Sequence, residues 1–410
     1  MRRRALASVN EIAAALSMHA RRERLDASLA GGHAGLAVAC AYLARAGFGD
    51  RRGAAKHLKR AARIASARNA GPSLHEGDTG VAWAATHLTK EFSDFATANI
   101  NATVDTLLTE QLARSSRRGD YDLISGLVGF GVYALERLPE PAAVKCLRRV
   151  VDRLEECAVR RPEGITFQTP TTHAARGRRS EIIYDLGVAH GAGGVVAFLG
   201  GVCASGVACA KARPLLEGVA RWLLKQKMRD VRRGCFPYFV GPHIRRKRAR
   251  LAWCYGDAGL AASLLVAARG AGESVWEREA LKLARGAAER GAERSGVVDA
   301  TLCHGAAGVG HVFNRIFQMT GEDWSRRASS FWFARALEMR RPGEGVGGFL
   351  TFQRDELGEA HMVADAGLLE GAAGIALALL AASTADEPSW DRALLLSLPA
   401  DAASKTAHAN

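Results

Sequence analysis

Apolar and polar positions alternate along this chain on two scales. On the short scale, stretches such as Arg213–Lys227 set Leu215, Leu216, Val219, Ala220, Leu223 and Leu224 at helical spacing between charges. On the long scale, a Gly-x-x-Gly step followed by an apolar run occurs seven times, at Gly32/Gly35, Gly77/Gly80, Gly126/Gly129, Gly191/Gly194, Gly256/Gly259, Gly305/Gly308 and Gly371/Gly374. Helix-like runs such as Leu36–Leu43, Val81–Leu88, Val309–Ile316 and Ile375–Leu380 come after these steps. Between successive steps there is room for a second, more charged helix, as at Arg51–Arg68 and Trp276–Arg290. Each repeat therefore predicts a loop, an apolar helix, a return loop and an amphipathic helix.

An apolar helix cannot remain on a surface, so the pattern predicts seven inner helices in a ring with the amphipathic ones outside. Glycines at each inner helix start permit tight turns near a narrow axis. All seven loops then face one end, and the residues just ahead of each glycine pair gather around one mouth. The repeats are about 45 to 50 residues apart in three cases and about 65 in the other three. The extra length falls at Arg160–Ile182, at Arg229–Leu251 and between Arg340 and Met362, where Pro, Gly and short alternating runs such as Gly234–Val240 predict loops with a little strand. The reading is one all-α domain over residues 1–400, with Trp390–Leu398 packing back on the ring and a polar tail at 401–410.

Composition narrows the function classes. A chain of 410 residues that is 48% hydrophobic and rich in Ala and Leu suits a large helical core. The formal charge of +14 is compatible with nucleic acid, an anionic membrane or an acidic peptide and does not choose among them. The longest basic run, Arg245–Arg250 with only Ala249 uncharged, reads as a solvated loop or strand edge. Neither aromatic interleaving nor a nucleic-acid fold signature accompanies it, so no nucleic-acid partner is expected. Arg2–Arg4 imitates the start of a signal peptide, but Asn10 and Glu11 break up the apolar core that a signal peptide needs. No segment approaches the roughly 20 apolar residues of a membrane span, and a cytoplasmic protein is expected. Eight scattered cysteines then default to reduced thiols.

The chemistry stands just before the glycines. Ala30-Gly31, Ile124-Ser125 and Leu369-Glu370 are inert there, whereas His75-Glu76, Ala189-His190, Cys254-Tyr255 and Cys303-His304 are not. Two cysteines and a histidine converging from adjacent loops make a thiolate and imidazole set that suits zinc, with a fourth position open. Such a centre holds an incoming thiol as thiolate near neutral pH, and the helix N-termini behind the loops add positive potential. A lone cysteine is usually a small buried apolar group, which is the reading for Cys40, Cys146, Cys157, Cys203, Cys209 and Cys235. His75, Glu76 and Asp257 receive no role from the sequence.

At this point the chain resembles the lanthionine synthetase C-like family. The resemblance rests on Trp253-Cys254-Tyr255-Gly256, Cys303-His304-Gly305, Ala189-His190-Gly191-Ala192-Gly193-Gly194 and Tyr121-Asp122 ahead of Gly126-Leu127-Val128-Gly129, with a similar closing Trp390 and Leu394-Leu395-Leu396. It implies an α/α toroid of seven repeats, with one Zn2+ per chain on Cys254, Cys303 and His304. It implies acid/base positions at His190 and Asp122, and it places Arg250 and Tyr255 near the site. The activity implied is addition of peptide Cys thiols to dehydroalanine or dehydrobutyrine in a dehydrated precursor peptide with a leader. A dehydratase and an exporter are the implied partners.

That reaction builds negative charge on the acceptor carbonyl and α-carbon, so it needs a general acid, and a base for the thiol proton. His190 beside a helix N-terminus is expected to favour its neutral form, and hence initial base duty. Arg250 suits either the enolate oxygen or a carboxylate such as Asp122. Two other readings keep the metal: an enzyme of the same family that adds glutathione to dehydrated residues, and a zinc-stabilised scaffold that binds a peptide without catalysis. Protein prenyl transfer also uses a helical toroid and a zinc-bound thiol, but its six repeats and different ligand set do not match.

Overall fold

The computed structural model describes residues 1–22, 25–68, 70–92, 95, 100–114, 121–169, 182–228, 234–355 and 357–398. The tail 401–410, residues 170–181 of the first stretch of extra length and 229–233 of the second lie outside the described residues. Contacts group the chain into two compact units, each assembled from segments distant in sequence.

The first unit comprises Met1–Gly71, His75–Ile100 and Gly296–Trp390. It holds α1 (Arg2–Arg22), α2 (His33–Arg45), α3 (Arg51–Arg68), α4 (Asp78–Glu91), α12 (Ala306–Thr320), α13 (Asp323–Glu338) and α14 (Ala372–Ala381). Every residue of α14 is buried, as are ten of the thirteen in α2, which is the apolar-helix half of the predicted repeat. α14 packs on α12 and on α2, and α2 packs on α4, while α3 and α13 cover α2 and α12. The seventh repeat departs from the predicted order. No amphipathic helix follows α14 among the described residues, and α1 from the start of the chain covers it instead. α1 buries Ala5, Val9, Ile12 and Leu16, one side of an otherwise polar helix.

The second unit comprises Pro72–Leu74, Asn101–Ser295 and Asp391–Asn410. It holds α5 (Ile100–Ala113) apart from its first residue, then α6 (Leu127–Arg137), α7 (Pro141–Cys157), α8 (Ala192–Ser205), α9 (Cys209–Lys225), α10 (Gly256–Ala271) and α11 (Ser274–Ala288). The apolar α6, α8 and α10 pack in that order, and α7, α9 and α11 cover them. α8 and α10 approach backbone to backbone, since a Cβ on Gly200 would stand 2.4 Å from Cα of Ala267. The closing segment is fixed within this unit. Arg392 makes a two-point ion pair with buried Glu136 of α6 at 2.8 and 2.9 Å, and the Leu394 carbonyl accepts the Trp253 indole N–H at 2.9 Å.

The extra lengths carry short antiparallel pairs. They are β1 (Val159–Arg161) with β2 (Gly164–Thr166), β3 (Tyr184–Asp185) with β4 (Phe239–Val240), and the hairpin β5 (Thr351–Arg354) with β6 (Ala360–Val363). Ile165 of β2 packs on Gly218 of α9, where any side chain would clash with it. The β3–β4 pair ties the loop before α8 to the stretch before α10.

Candidate metal centre and its flanking loops

Four of the loops ahead of the apolar helices share one construction. Asp26, Asp185, Asp299 and Asp365 each stand six residues before a glycine N-cap. In each, Oδ1 accepts the amide two residues on: Ser28 at 2.9 Å, Gly187 at 2.7 Å, Thr301 at 3.1 Å and Gly367 at 2.6 Å. A short carboxylate closes such a turn locally. The loop then folds back so that its carbonyls accept the first-turn amides of its own helix. Ala306, Ala307 and Gly308 donate to Asp299, Ala300 and Thr301 at 2.9, 3.3 and 3.1 Å. These amides would otherwise have no partner. The second glycine is a steric requirement of that fold-back: a Cβ on Gly308 would lie 1.8 Å from the Leu302 carbonyl oxygen, and one on Gly374 lies 1.9 Å from that of Leu368.

Backbone hydrogen bonds also run from loop to loop. In the first unit the Cys303 amide donates to Leu369 O at 2.8 Å, the Leu369 amide to Ala30 O at 2.9 Å, and the Ala30 amide to His75 O at 2.8 Å. In the second unit the Val188 amide donates to Cys254 O at 2.8 Å and the Leu123 amide to Ala189 O at 3.1 Å. The positions named from sequence as the chemical ones are thus borne on a continuous backbone support within each unit. His75, 1% exposed, contributes its carbonyl to it.

Cys254, Cys303 and His304 are buried and form a group that could hold a metal ion, one ligand atom of each lying within 4.8 Å of the others. Tetrahedral zinc with ordinary Zn–S and Zn–N bonds separates its ligand atoms by roughly 3.5 to 3.8 Å. The donor set suits that ion, and the 4.8 Å limit admits that spacing. Asp299 and Glu370 flank the His304 ring, with Oδ2 of Asp299 3.7 Å from Nε2 and Oε1 of Glu370 3.8 Å from Nδ1. Asp299 is held in place through Thr301 on one oxygen and the Phe352 amide, at 3.1 Å, on the other. The first-turn amides behind Cys303 are already bonded to carbonyls, so the helix contributes its dipole and no open donor.

His190 Nδ1 meets Asp122 Oδ2 at 2.6 Å. The other oxygen of Asp122 accepts the Ser125 amide at 2.8 Å and its hydroxyl at 3.1 Å. An ionised carboxylate only accepts, so Nδ1 carries the proton and the lone pair sits on Nε2. Asp122 is buried while the His190 side chain is 31% exposed, so the imidazole is reachable and its support is not. Tyr255 donates to Asp185 Oδ2 at 2.7 Å, and its ring packs edge-on against Tyr238. Burial pushes the Asp185 carboxyl up to about 6, against the Tyr255 hydroxyl, the Gly187 amide and the charge of His190. Burial, then the Asp185 charge, pushes the Tyr255 phenol up as well. Arg250 stands where other loops carry the turn-closing Asp. Its guanidinium makes no ion pair among the described residues, its Nε is buried without a partner, and it does not hold Asp122.

Other sequence features resolve into structure. Asp257 accepts the amides of Cys235 at 2.8 Å and Phe236 at 3.0 Å, tying the stretch before α10 to that helix. Burial raises the thiols of Cys40, Cys146, Cys203 and Cys235 to between about 11 and about 12, which keeps them protonated and apolar in behaviour. In the basic run, Arg245, Arg246 and Lys247 are exposed, whereas Arg248 is half-buried and donates to the Gly234 carbonyl. No helix among the described residues is long and apolar enough to cross a membrane. Asp185, Asp299 and Glu370 were not singled out from sequence. The six-residue offset from the glycine marks the first two, and Glu370, read as inert just ahead of Gly371, instead stands 3.8 Å from Nδ1 of His304.

Comparison with known proteins agrees with this architecture. Residues 23–395 match the profile of the family described as lanthionine synthetase C-like protein. No curated protein sequence matches the chain. Among solved structures, nisin cyclase superposes with a TM-score of 0.75 at 18% identity, covering 95% of this chain and 96% of that one. The likeness places the fold in the all-α class, as an α/α toroid.

Proposed function

This chain belongs to the lanthionine synthetase C-like family, and from that premise we propose that it is a zinc-dependent lanthionine cyclase. Its substrate is a dehydrated precursor peptide with a leader, in which Cys thiols add to dehydroalanine or dehydrobutyrine to form thioether rings. The observation that carries the reading is the buried group of Cys254, Cys303 and His304. We read residues 1–400 as one catalytic domain, the family match covering residues 23–395. A dehydratase supplies the substrate, an exporter removes the product, and the work is cytoplasmic.

Cys254, Cys303 and His304 are the residues that would hold zinc. When bound, zinc supplies the Lewis acidity that keeps a thiol as thiolate near neutral pH. The remaining work belongs to protein side chains. His190 accepts the thiol proton on Nε2 and returns a proton to the acceptor α-carbon, while Asp122 fixes the tautomer and carries the imidazolium charge. Arg250, having no carboxylate partner, faces the developing enolate oxygen with a full positive charge. Tyr255 positions the loop of His190 through Asp185. Asp299 orients His304.

The test measures zinc and product together, in wild type and Cys303→Ala purified under reducing conditions. About one zinc per chain in wild type, lost in the variant, is expected. A dehydrated peptide with one Cys should give a product of unchanged mass that no longer takes up an alkylating agent. Glutathione adducts on a Cys-free dehydrated peptide, without ring closure, would assign the glutathione-adding activity instead. Metal-free, well-folded wild type would remove thiolate activation and leave a scaffold.

A further inference from the structure

A second site lies in the first unit and uses none of the residues given a role above. A cavity of about 550 Å³ opens among α1, α2 and α3, within the range of roughly 300 to 1,000 Å³ that holds small organic ligands. Ala13, Leu43 and Phe48 line it on an apolar side. Arg52, Lys56 and Arg60 line it on another. Those three are four residues apart and so form one ridge of α3, a helix with no acidic residue. None of them makes an ion pair among the described residues. Asp50 also lines the cavity, and its Oδ1 accepts the Arg52 backbone amide at 2.9 Å, closing the start of α3.

The cavity also reaches two histidines. His33, the first residue of α2, is 1% exposed, and its Nδ1 meets Nδ1 of His57 at 2.8 Å. One ring therefore donates to the other. Nε2 of His33 is buried and has no hydrogen-bond partner. Burial first, then the charges of His57 and Arg60, push His33 down to about 4 against the pull of Asp26. The pair is neutral near pH 7, and the positive charge of the site comes from α3. A metal does not suit it: the Cys40 thiol is pushed up to about 11 by burial, and these residues form no ligand group.

Like charges aligned along one helix repel, and a buried imidazole nitrogen without a partner is unfavourable. An anion at the ridge relieves the first, and the second donates to it in the tautomer in which His57 Nδ1–H donates to His33 Nδ1, leaving the His33 hydrogen on Nε2. We propose that this cavity binds an organic anion, a carboxylate or phosphate group carried on an apolar body. The ridge Arg52–Lys56–Arg60 and the His33–His57 pair receive the charged end, and Leu43 and Phe48 receive the body. Gly53 lies on the same wall, where an added Cβ meets no atom within 4 Å. A larger side chain there enters the cavity without displacing the fold.

The experiment titrates the full chain with hexanoate, hexyl phosphate, inorganic phosphate and the blocked tripeptide acetyl-Leu-Glu-Leu-amide. It reads heat of binding and the ring signals of His33 and His57. Hexanoate or hexyl phosphate should shift both rings. The triple variant Arg52→Gln, Lys56→Gln, Arg60→Gln should weaken binding at least tenfold, and so should Gly53→Leu with its charges intact, while the melting temperature of each stays near wild type. Tighter binding of the tripeptide than of hexanoate identifies a peptide segment as the source of the anion, and weaker binding identifies a free small molecule. Inorganic phosphate binding as tightly as hexyl phosphate overturns the apolar body. Unmoved histidine signals, or wild-type affinity in either variant, overturn the site.

Discussion

The hydroxyl of Tyr255 donates to Oδ2 of Asp185 at 2.7 Å, while Oδ1 of the same carboxylate accepts the Gly187 amide. One buried carboxylate thereby joins the residue after a proposed metal ligand to the loop that carries His190. Removing the donor alone tests the joint. Tyr255→Phe should destabilise the protein by about 1–3 kcal/mol, because an oxygen stays buried without its partner. The Asp185 carboxyl should rise further above 6, read from its carbonyl signal during a pH titration. An unchanged titration would show that the hydroxyl does not support Asp185.

The pair of His190 and Asp122 makes a separate prediction. Asp122→Asn removes the charge that holds the imidazole tautomer and should lower cyclisation by roughly 10²- to 10⁴-fold, with zinc content and melting temperature close to wild type. Retained turnover beside retained zinc would exclude the dyad from the chemistry.

Asp299 lies behind His304 and is itself fixed by Thr301 and Phe352. Asp299→Ala should weaken zinc binding by about 10- to 100-fold, as loss of a carboxylate behind a metal-bound histidine does elsewhere. Competition with a chromophoric chelator measures it. Equal affinity would reduce Asp299 to a turn-closing residue like Asp26 and Asp365.

One histidine and one carboxylate act on stability with opposite sign as pH changes. His33 is pushed down to about 4 in the folded protein, so below about pH 6.5 the unfolded chain binds the extra proton and stability falls as pH drops towards 4. Asp185 is pushed up to about 6, so its folded form holds a proton that the unfolded chain releases, and its contribution is lost as pH rises from about 4 through 6. Urea unfolding at several pH values separates them. His33→Gln should make the loss of stability between pH 6.5 and 4 shallower, and Asp185→Asn should make it steeper. Parallel curves for wild type and both variants would contradict both assignments.

Glycine substitutions have opposite expected signs at two helical positions. Gly374→Ala drives a methyl to 1.9 Å from the Leu368 carbonyl oxygen and should destabilise by about 1–3 kcal/mol or more. At exposed Gly286 in α11 an added Cβ meets nothing, and Gly286→Ala should stabilise by about 0.5–1 kcal/mol. Thermal unfolding decides. Equal shifts would mean that the loop fold-back does not demand the second glycine.

The sequence by itself determined the repeat, the alternation of buried and one-sided helices, and the residue types at each loop. Apolar stretches such as Ala372–Ala381 have no stable place except inside, and Arg51–Arg68, with its charges, has none except outside. A cysteine and a Cys-His pair in the same register of two repeats were legible because position relative to Gly256 and Gly305 is a local property. Only the tertiary structure decided which helix covers α14, since α1 lies at the other end of the chain and burial acts through space rather than order. Tertiary structure also decided what each polar residue meets. Asp257 binds two amides, Asp185 binds Tyr255, Arg250 has no carboxylate, and His33 meets His57. Hydrogen bonds fall off within a few tenths of an ångström, and no spacing in a linear sequence carries distance to that precision.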